Sequence, residues 1–277
     1  MLYNKHIKPS FIIIGGVKCG TSSLYRYLNK HPNILPCKTK EPGVFNTRNI
    51  LKTIYKLPWY FKLFPKKEYQ GWVKADWITL TSDEQFENTS FKKKKEAGIN
   101  YITGEASAAT FVRAYPWLVK KIFPNIKLIV LLRNPTERFI SHYKMRIRFA
   151  NEGRKNYQQI SLNEYITDQL NEFNKGSQKN VLSQGIYVAH LNRWLKYFPK
   201  NVVHLCETKA LDNSISAQIE LNKIFYFLCL EDFDFNSKWN KYNVSKKEIE
   251  VIDEKRRLDE FYSPYNTKLY NQFGIKF

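Results

Sequence analysis

Lys18 and Arg133 are the two cations best placed to do chemistry. Lys18 lies within the loop Gly15-Gly16-Val17-Lys18-Cys19-Gly20, which runs into Thr21, Ser22 and Ser23. Such a loop, opening a helix, aims unpaired backbone N–H groups and the positive end of the helix dipole at one spot, where an anion, usually a phosphate, can sit. Arg133 follows an apolar run, in Leu132-Arg133-Asn134-Pro135. An arginine at the tip of a buried strand suits charge-assisted hydrogen bonds to a second anionic group. Cys19, beside a lysine near a helix start, has a setting that can depress a thiol pKa, although packing is the commoner role. Glu41, in Lys40-Glu41-Pro42, reads on its own as a solvent-exposed loop carboxylate.

Gly15 and Gly20 have the separation found in the nucleotide triphosphatase loop, where Lys follows the second glycine and Ser or Thr comes next. Here Thr21 stands in that place and the lysine is inside the loop. Where such an enzyme carries an acidic magnesium ligand at a strand tip, this chain carries Arg133. No metal is implied.

Strands and helices must hold these residues. Residues 11–14 are an apolar, β-branched run that predicts a buried strand ending at Gly15-Gly16, and Leu24, Tyr27 and Leu28 recur at helical spacing before a stop at His31-Pro32. Residues 126–132 give the strongest buried-strand pattern and 201–206 a third. Helices are predicted for 111–123, from Pro135 onward, and for 161–173, 185–198, 215–230 and 246–261. Residues 35–45 predict a loop near the C-terminal end of the first strand, where open α/β sheets place ligands. Residues 50–64 read as broken helix or aromatic core packing around Pro58, 66–100 as the segment most prone to mobility, and 92–95 as a solvated lysine loop. The alternation predicts a three-layer α/β fold, a central mainly parallel sheet flanked by helices. With no repeat and no clean linker, residues 1–277 read as one domain.

The formal net charge of +20 implies attraction to nucleic acid, acidic membrane surfaces, anionic glycans or phosphorylated cofactors. No RNP1 sequence, Cys/His finger or basic heptad region is present, so a nucleic-acid partner would rest on charge alone. Four cysteines without a C-x-x-C pattern suggest neither a zinc site nor a disulfide framework. A polar N-terminus and the lack of a membrane-spanning run predict a soluble, cytoplasmic protein.

With these segments placed, the chain resembles the sulfotransferases that use 3′-phosphoadenosine 5′-phosphosulfate (PAPS), nearest to the heparan-sulfate-type branch and its bacterial relatives. Gly15 to Ser22 matches that family's G-x-x-K-x-G-T-[ST] loop, and Leu132-Arg133-Asn134-Pro135-Thr136-Glu137-Arg138-Phe139-Ile140-Ser141 fits its L-R-[ND]-P-x-x-R-x-x-S signature at every specified position. Weaker echoes are Lys40-Glu41-Pro42 with Phe45, Trp59-Tyr60 with Phe64-Pro65, Gly104-Glu105-Ala106-Ser107, and Gly185-x-Tyr187 with Leu191, Trp194 and Phe198.

The resemblance implies a fold related to P-loop nucleotide-binding proteins. It implies that Lys18 contacts the 5′-phosphosulfate, surrounded by Gly16, Val17, Cys19, Gly20, Thr21, Ser22 and Ser23. Arg133 and Ser141 would hold the 3′-phosphate. Glu41 becomes the candidate general base, displacing the solvent-exposed reading, with Glu105 and His142 next in line. The co-substrate would leave as 3′,5′-adenosine bisphosphate (PAP), with no metal. The acceptor would be a hydroxyl or amine of a small metabolite or saccharide. Two competing classes are a P-loop kinase or nucleotide triphosphatase and a non-enzymatic basic nucleic-acid-binding protein. The glycan enzymes' lysine and proline after Glu105 are replaced by Ala106 and Ala108, and a late basic lid is reduced to Lys238-Trp239-Asn240-Lys241-Tyr242.

Overall fold

A computed structural model describes residues 5–80, 86–177, 180–234 and 251–277. The Lys238 to Tyr242 stretch lies outside them. Five parallel strands form one sheet in the order β2-β5-β1-β6-β7, flanked by helices. They are β1 (Phe11–Gly15), β2 (Ile34–Leu35), β5 (Ile102–Ala106), β6 (Lys127–Leu132) and β7 (Val203–Glu207). β1 is central, pairing Ile13 with Ala106 on one side and with Ile129 on the other. Phe11 to Ile14 and Leu128 to Leu132 are fully buried, as expected for parallel strands covered on both faces. Because all five strands run the same way, their C-terminal ends open onto one edge of the sheet.

The helices are α1 (Thr21–Leu28), α2 (Ile50–Lys62), α3 (Thr110–Arg113), α4 (Pro116–Ile122), α5 (Pro135–Asn151), α6 (Leu162–Asn174), α7 (Tyr187–Leu195), α8 (Ser214–Leu228) and α9 (Ile252–Phe273). α6 begins with a full capping box, Ser161 with Glu164, which fixes its start where the sequence places it. The predicted helix over 111–123 is two helices. Pro116 removes a backbone donor and holds Tyr115 extended, so the chain turns between α3 and α4. α9 extends well beyond residue 261.

Within 66–100, the described residues 71–80 and 86–95 contradict the expectation of looseness. β3 (Gly71–Leu80) and β4 (Phe86–Lys95) pair antiparallel in register from Gly71–Lys95 to Leu80–Phe86. Val73, Ala75 and Trp77 point inward and Trp72, Lys74 and Asp76 outward, the period of a half-buried strand. Trp77 stacks on Tyr25 with centroids 4.6 Å apart, and its indole N–H donates to the Cys37 carbonyl at 3.0 Å. The lysine run is strand, not solvated loop. Lys92 and Lys94 face solvent, while the Lys93 ammonium turns in to donate to the carbonyls of His31 and Ile34, the latter at 2.6 Å. Burial lowers the Lys93 pKa to about 7.

α2 is likewise one continuous helix with Pro58 inside it, begun by the Asn49 side chain accepting from the Lys52 N–H at 2.9 Å. Only part of its aromatic surface is core. Thr53, Tyr60 and Phe61 are buried, whereas Leu51, Ile54, Tyr55 and Trp59 are exposed.

Candidate active site

The loop between β1 and α1 is held in one shape from several sides. A Cβ on Gly15 would lie 2.2 Å from the Leu131 carbonyl oxygen, and one on Gly16 would meet Cys19 Sγ at 2.8 Å and Arg138 Cδ at 2.9 Å. Only glycine lets β1 and β6 approach so closely there. The Thr208 hydroxyl, just after β7, lies 2.6 Å from the Cys19 carbonyl and 2.9 Å from that of Leu132, bridging the loop to the tip of β6. The Tyr187 hydroxyl donates to the Arg133 carbonyl at 2.8 Å and sits 3.5 Å from Cys19 Sγ. Cys19 is thus a packing residue. Burial pushes its thiol pKa up, outweighing the nearby positive charges that would lower it.

Lys18 adopts φ 77°, left-handed backbone that costs a residue with a side chain about 1–3 kcal/mol. The first α1 bond is donated by the Leu24 N–H to the Gly20 carbonyl, so the N–H groups of Thr21 and Ser22 precede the helical ladder at its positive end. Val17 completes the loop between Gly16 and Lys18. Burial lowers the Lys18 pKa to about 8, and the charges of Arg148, Arg133 and Lys40 push the same way against the opposing effect of Glu41. Lys18 is therefore the centre of a concentrated positive field with one acidic neighbour acting on it.

Arg133 follows β6, its guanidinium half-exposed and paired with Glu137 at 3.1 Å. Asn134 caps α5 by accepting from the Glu137 N–H at 3.1 Å, and Pro135 opens the helix. Ser141 lies in the second turn of α5, partly exposed. Sequence reasoning missed Arg148, seven residues beyond Ser141 and so on the same helix face, which is the signal that could have found it. Arg138 is fully buried beneath the loop and donates to the Val181 carbonyl at 2.7 Å.

Glu41 is the carboxylate whose charge acts on Lys18. Its backbone is also left-handed, φ 54°, pinned by its N–H donating to the Ala106 carbonyl at 3.1 Å, and its half-exposed carboxylate pairs with Lys40 at 3.0 Å. Two residues on, the Gly43 N–H donates to Ser107 Oγ at 3.2 Å, and that hydroxyl donates to Glu105 Oε2 at 2.7 Å. The Tyr60 hydroxyl reaches the other Glu105 oxygen at 3.4 Å. Glu105 is fully buried, and burial raises its pKa to about 7; the Glu41 charge adds to the rise and the Ser107 and Tyr60 hydrogen bonds resist it. Ser107→Ala would strand a buried carboxyl oxygen and the Gly43 N–H, so urea denaturation should show a loss of about 1–3 kcal/mol. An unchanged midpoint and slope would show that this chain of bonds does not hold the Glu41 turn.

His142 is a poor base. Burial, then the charges of Arg138, Lys18 and Arg146, lower its pKa to about 3, and Nδ1 lies 3.2 Å from the Tyr165 hydroxyl. Among the described residues no group of three or more His, Cys, Asp or Glu is placed to hold a metal ion.

Residues 8–246 match the family described as "Sulfotransferase domain". The chain is 28% identical over 258 residues to a Drosophila melanogaster bifunctional heparan sulfate N-deacetylase/N-sulfotransferase, covering 90% of this chain and 22% of that protein. It is 27% identical to the mouse heparan sulfate glucosamine 3-O-sulfotransferase 5, covering 96% and 72%, and 25% identical to human carbohydrate sulfotransferase 15, covering 96% and 54%. The chain thus spans about a fifth of the first relative and about half of the third. In fold it is similar to a sulfotransferase from Alicyclobacillus acidocaldarius, with TM-score 0.66 at 20% identity over 98% of this chain and 97% of that one. It is also similar to a mouse sulfotransferase complexed with PAP, with TM-score 0.54 at 14% identity over 99% and 88%. With the family match running through the β1 loop, the β6 tip and the full parallel sheet, the chain belongs to the sulfotransferase domain family.

Proposed function

We propose that the protein transfers a sulfonate group from PAPS to a hydroxyl or amine of a small metabolite or saccharide. The observation that carries this reading is the Lys18 ammonium, held in a left-handed loop within the fields of Arg148 and Arg133, with the Glu41 charge acting against them. A field of that strength is relieved by anions. PAPS has two anionic ends, and Lys18 and Arg133 are the cations that would take one each.

When bound, PAPS supplies an activated sulfonate whose leaving group is PAP. Lys18, the loop amides from Gly20 to Ser22 and the hydroxyls of Thr21 to Ser23 would receive the 5′ end, where negative charge grows during transfer. Arg133 and Ser141 would receive the 3′-phosphate; each charge-assisted contact contributes about 1.5–3 kcal/mol. Glu41 would accept the proton of the attacking hydroxyl or amine in an in-line transfer, and its pinned backbone would fix the direction from which it does so. Electrostatic stabilisation by a fixed cation and correct positioning would supply the acceleration.

PAP should raise the melting temperature of the protein, because a ligand at one hundred times its Kd adds about 2.7 kcal/mol to a state that alone binds it. No stabilisation at saturating PAP would overturn the reading, and magnesium-dependent ATP hydrolysis would transfer it to the kinase and triphosphatase class. The relatives that act on heparan sulfate and other carbohydrates support a saccharide as the first acceptor class to screen, by mass gain from labelled donor.

A further inference from the structure

α2 turns an apolar face to solvent. Leu51 and Tyr55 are 78% and 86% exposed, and Ile54 and Trp59 are 49% and 47% exposed. At 3.6 residues per turn these four side chains fall within a stripe about 140° wide. The opposite side of the same helix, with Thr53 and Tyr60, is in the core, and buried Phe61 borders the stripe at the Ile54 edge, so the stripe is the outer surface of a docked helix. From Arg48 to Lys67 the chain has six basic residues, Lys52, Lys56, Lys62 and Lys66 among them, and no Asp or Glu.

We propose that α2 is a membrane-docking helix that lies in the headgroup region of an anionic phospholipid bilayer. Aliphatic side chains beside an amphipathic Tyr and Trp, flanked by lysines, are the composition of a helix that rests in the interface rather than crossing it. Among the described residues no helix is long and apolar enough to cross a membrane, which agrees with surface attachment. A purely polyanionic partner such as nucleic acid uses the lysines and gives Leu51 and Ile54 nothing to bury. A two-fold dimer through this face would set a basic stripe against its own copy, because an isologous interface pairs the same patch on both subunits. A bilayer with acidic headgroups satisfies both the apolar stripe and the charge. α2 follows directly on the segment carrying Glu41, with the Thr53 hydroxyl 3.3 Å from the Val44 carbonyl, so docking would bring that rim of the site to the bilayer surface.

The test uses the whole chain and vesicles of phosphatidylcholine with and without phosphatidylserine. The protein should co-sediment with the phosphatidylserine vesicles, and the double variant Leu51→Ser with Tyr55→Ser should partition at least about tenfold more weakly while keeping its melting curve. Brominated lipid should quench a part of the tryptophan fluorescence that Trp59→Phe removes. Equal binding by the double variant, or quenching unaltered by Trp59→Phe, would overturn the proposal, as would wild-type protein that stays in the supernatant. A dimer in light scattering that the double variant converts to monomer would assign the face to a second copy instead.

Discussion

Lys18→Ala is expected to lower kcat by about 10²–10³-fold, the size of effect seen when a preorganised charge or donor is removed from the point where negative charge develops. The ammonium is held in place before any ligand arrives: its backbone is already in the left-handed loop, and its neighbours Arg148 and Arg133 are supplied by α5 and the β6 tip. A pH signature accompanies the loss. An anion binds better to the ammonium than to the free amine, and the free protein carries Lys18 at about 8. Below that pH the charge is already present and PAP affinity is flat with respect to this group. Above it a proton must be taken up on binding, so affinity falls by up to about tenfold per pH unit. Calorimetry in two buffers of different ionisation enthalpy should detect proton uptake in the wild type near pH 8 and none in Lys18→Ala. A variant that kept both its turnover and its alkaline limb would remove Lys18 from the mechanism.

Glu41→Gln should lower kcat by about 10²–10⁴-fold, the usual range for loss of a general base, while leaving the Kd of PAP close to that of the wild type. Glutamine keeps the shape and the pinned turn but cannot take a proton. The substitution also changes its neighbours in a defined direction. The Glu41 charge raises both Lys18 and Glu105, so without it Lys18 titrates lower still and Glu105 ionises more readily. The alkaline limb of PAP binding should therefore begin at lower pH in Glu41→Gln. Full turnover in this variant would pass the role of base to Glu105, whose pKa near 7 suits it to accept a proton but whose carboxyl is buried behind Ser107.

The parts of the fold legible in the sequence were those in which one signal dominated. β1 and β6 announce themselves because a parallel strand covered on both faces is apolar almost throughout, and β7, half-buried at the sheet edge, shows through its β-branched start at Val202-Val203. α6 is legible to within one residue at each end because its apolar residues keep a helical spacing, and Ser161 with Glu164 caps its start. The β3–β4 pairing was obscured because lysine-rich composition masks a period of two that, among the described side chains of β3, is carried by Val73, Ala75 and Trp77. Lys93 shows the same conflict, a charged side chain whose partners, the carbonyls of His31 and Ile34, are about sixty residues away in the chain. At the site, the glycine loop and Arg133 could be read directly from residue types and spacing. Glu41 could not, since nothing local separates it from an ordinary loop carboxylate; its setting is made by Ala106 and Ser107 on a distant strand. Arg148 required knowing which face of α5 looks at the loop.

The strand order also governs when this protein can begin to exist as a folded chain. β1 is synthesised first, yet its two neighbours in the sheet are β5 and β6, the second of which ends at Leu132. At about 5–20 residues per second, more than a hundred residues of translation separate the two, roughly 6–20 s. For that interval Phe11 to Ile14, wholly enclosed in the finished sheet, have no partner on one side. The loop that carries Lys18 thus leaves the ribosome before its sheet partners and acquires its shape after them, so the nascent chain must keep a strand destined for full burial out of trouble until the tip that bears Arg133 has been made.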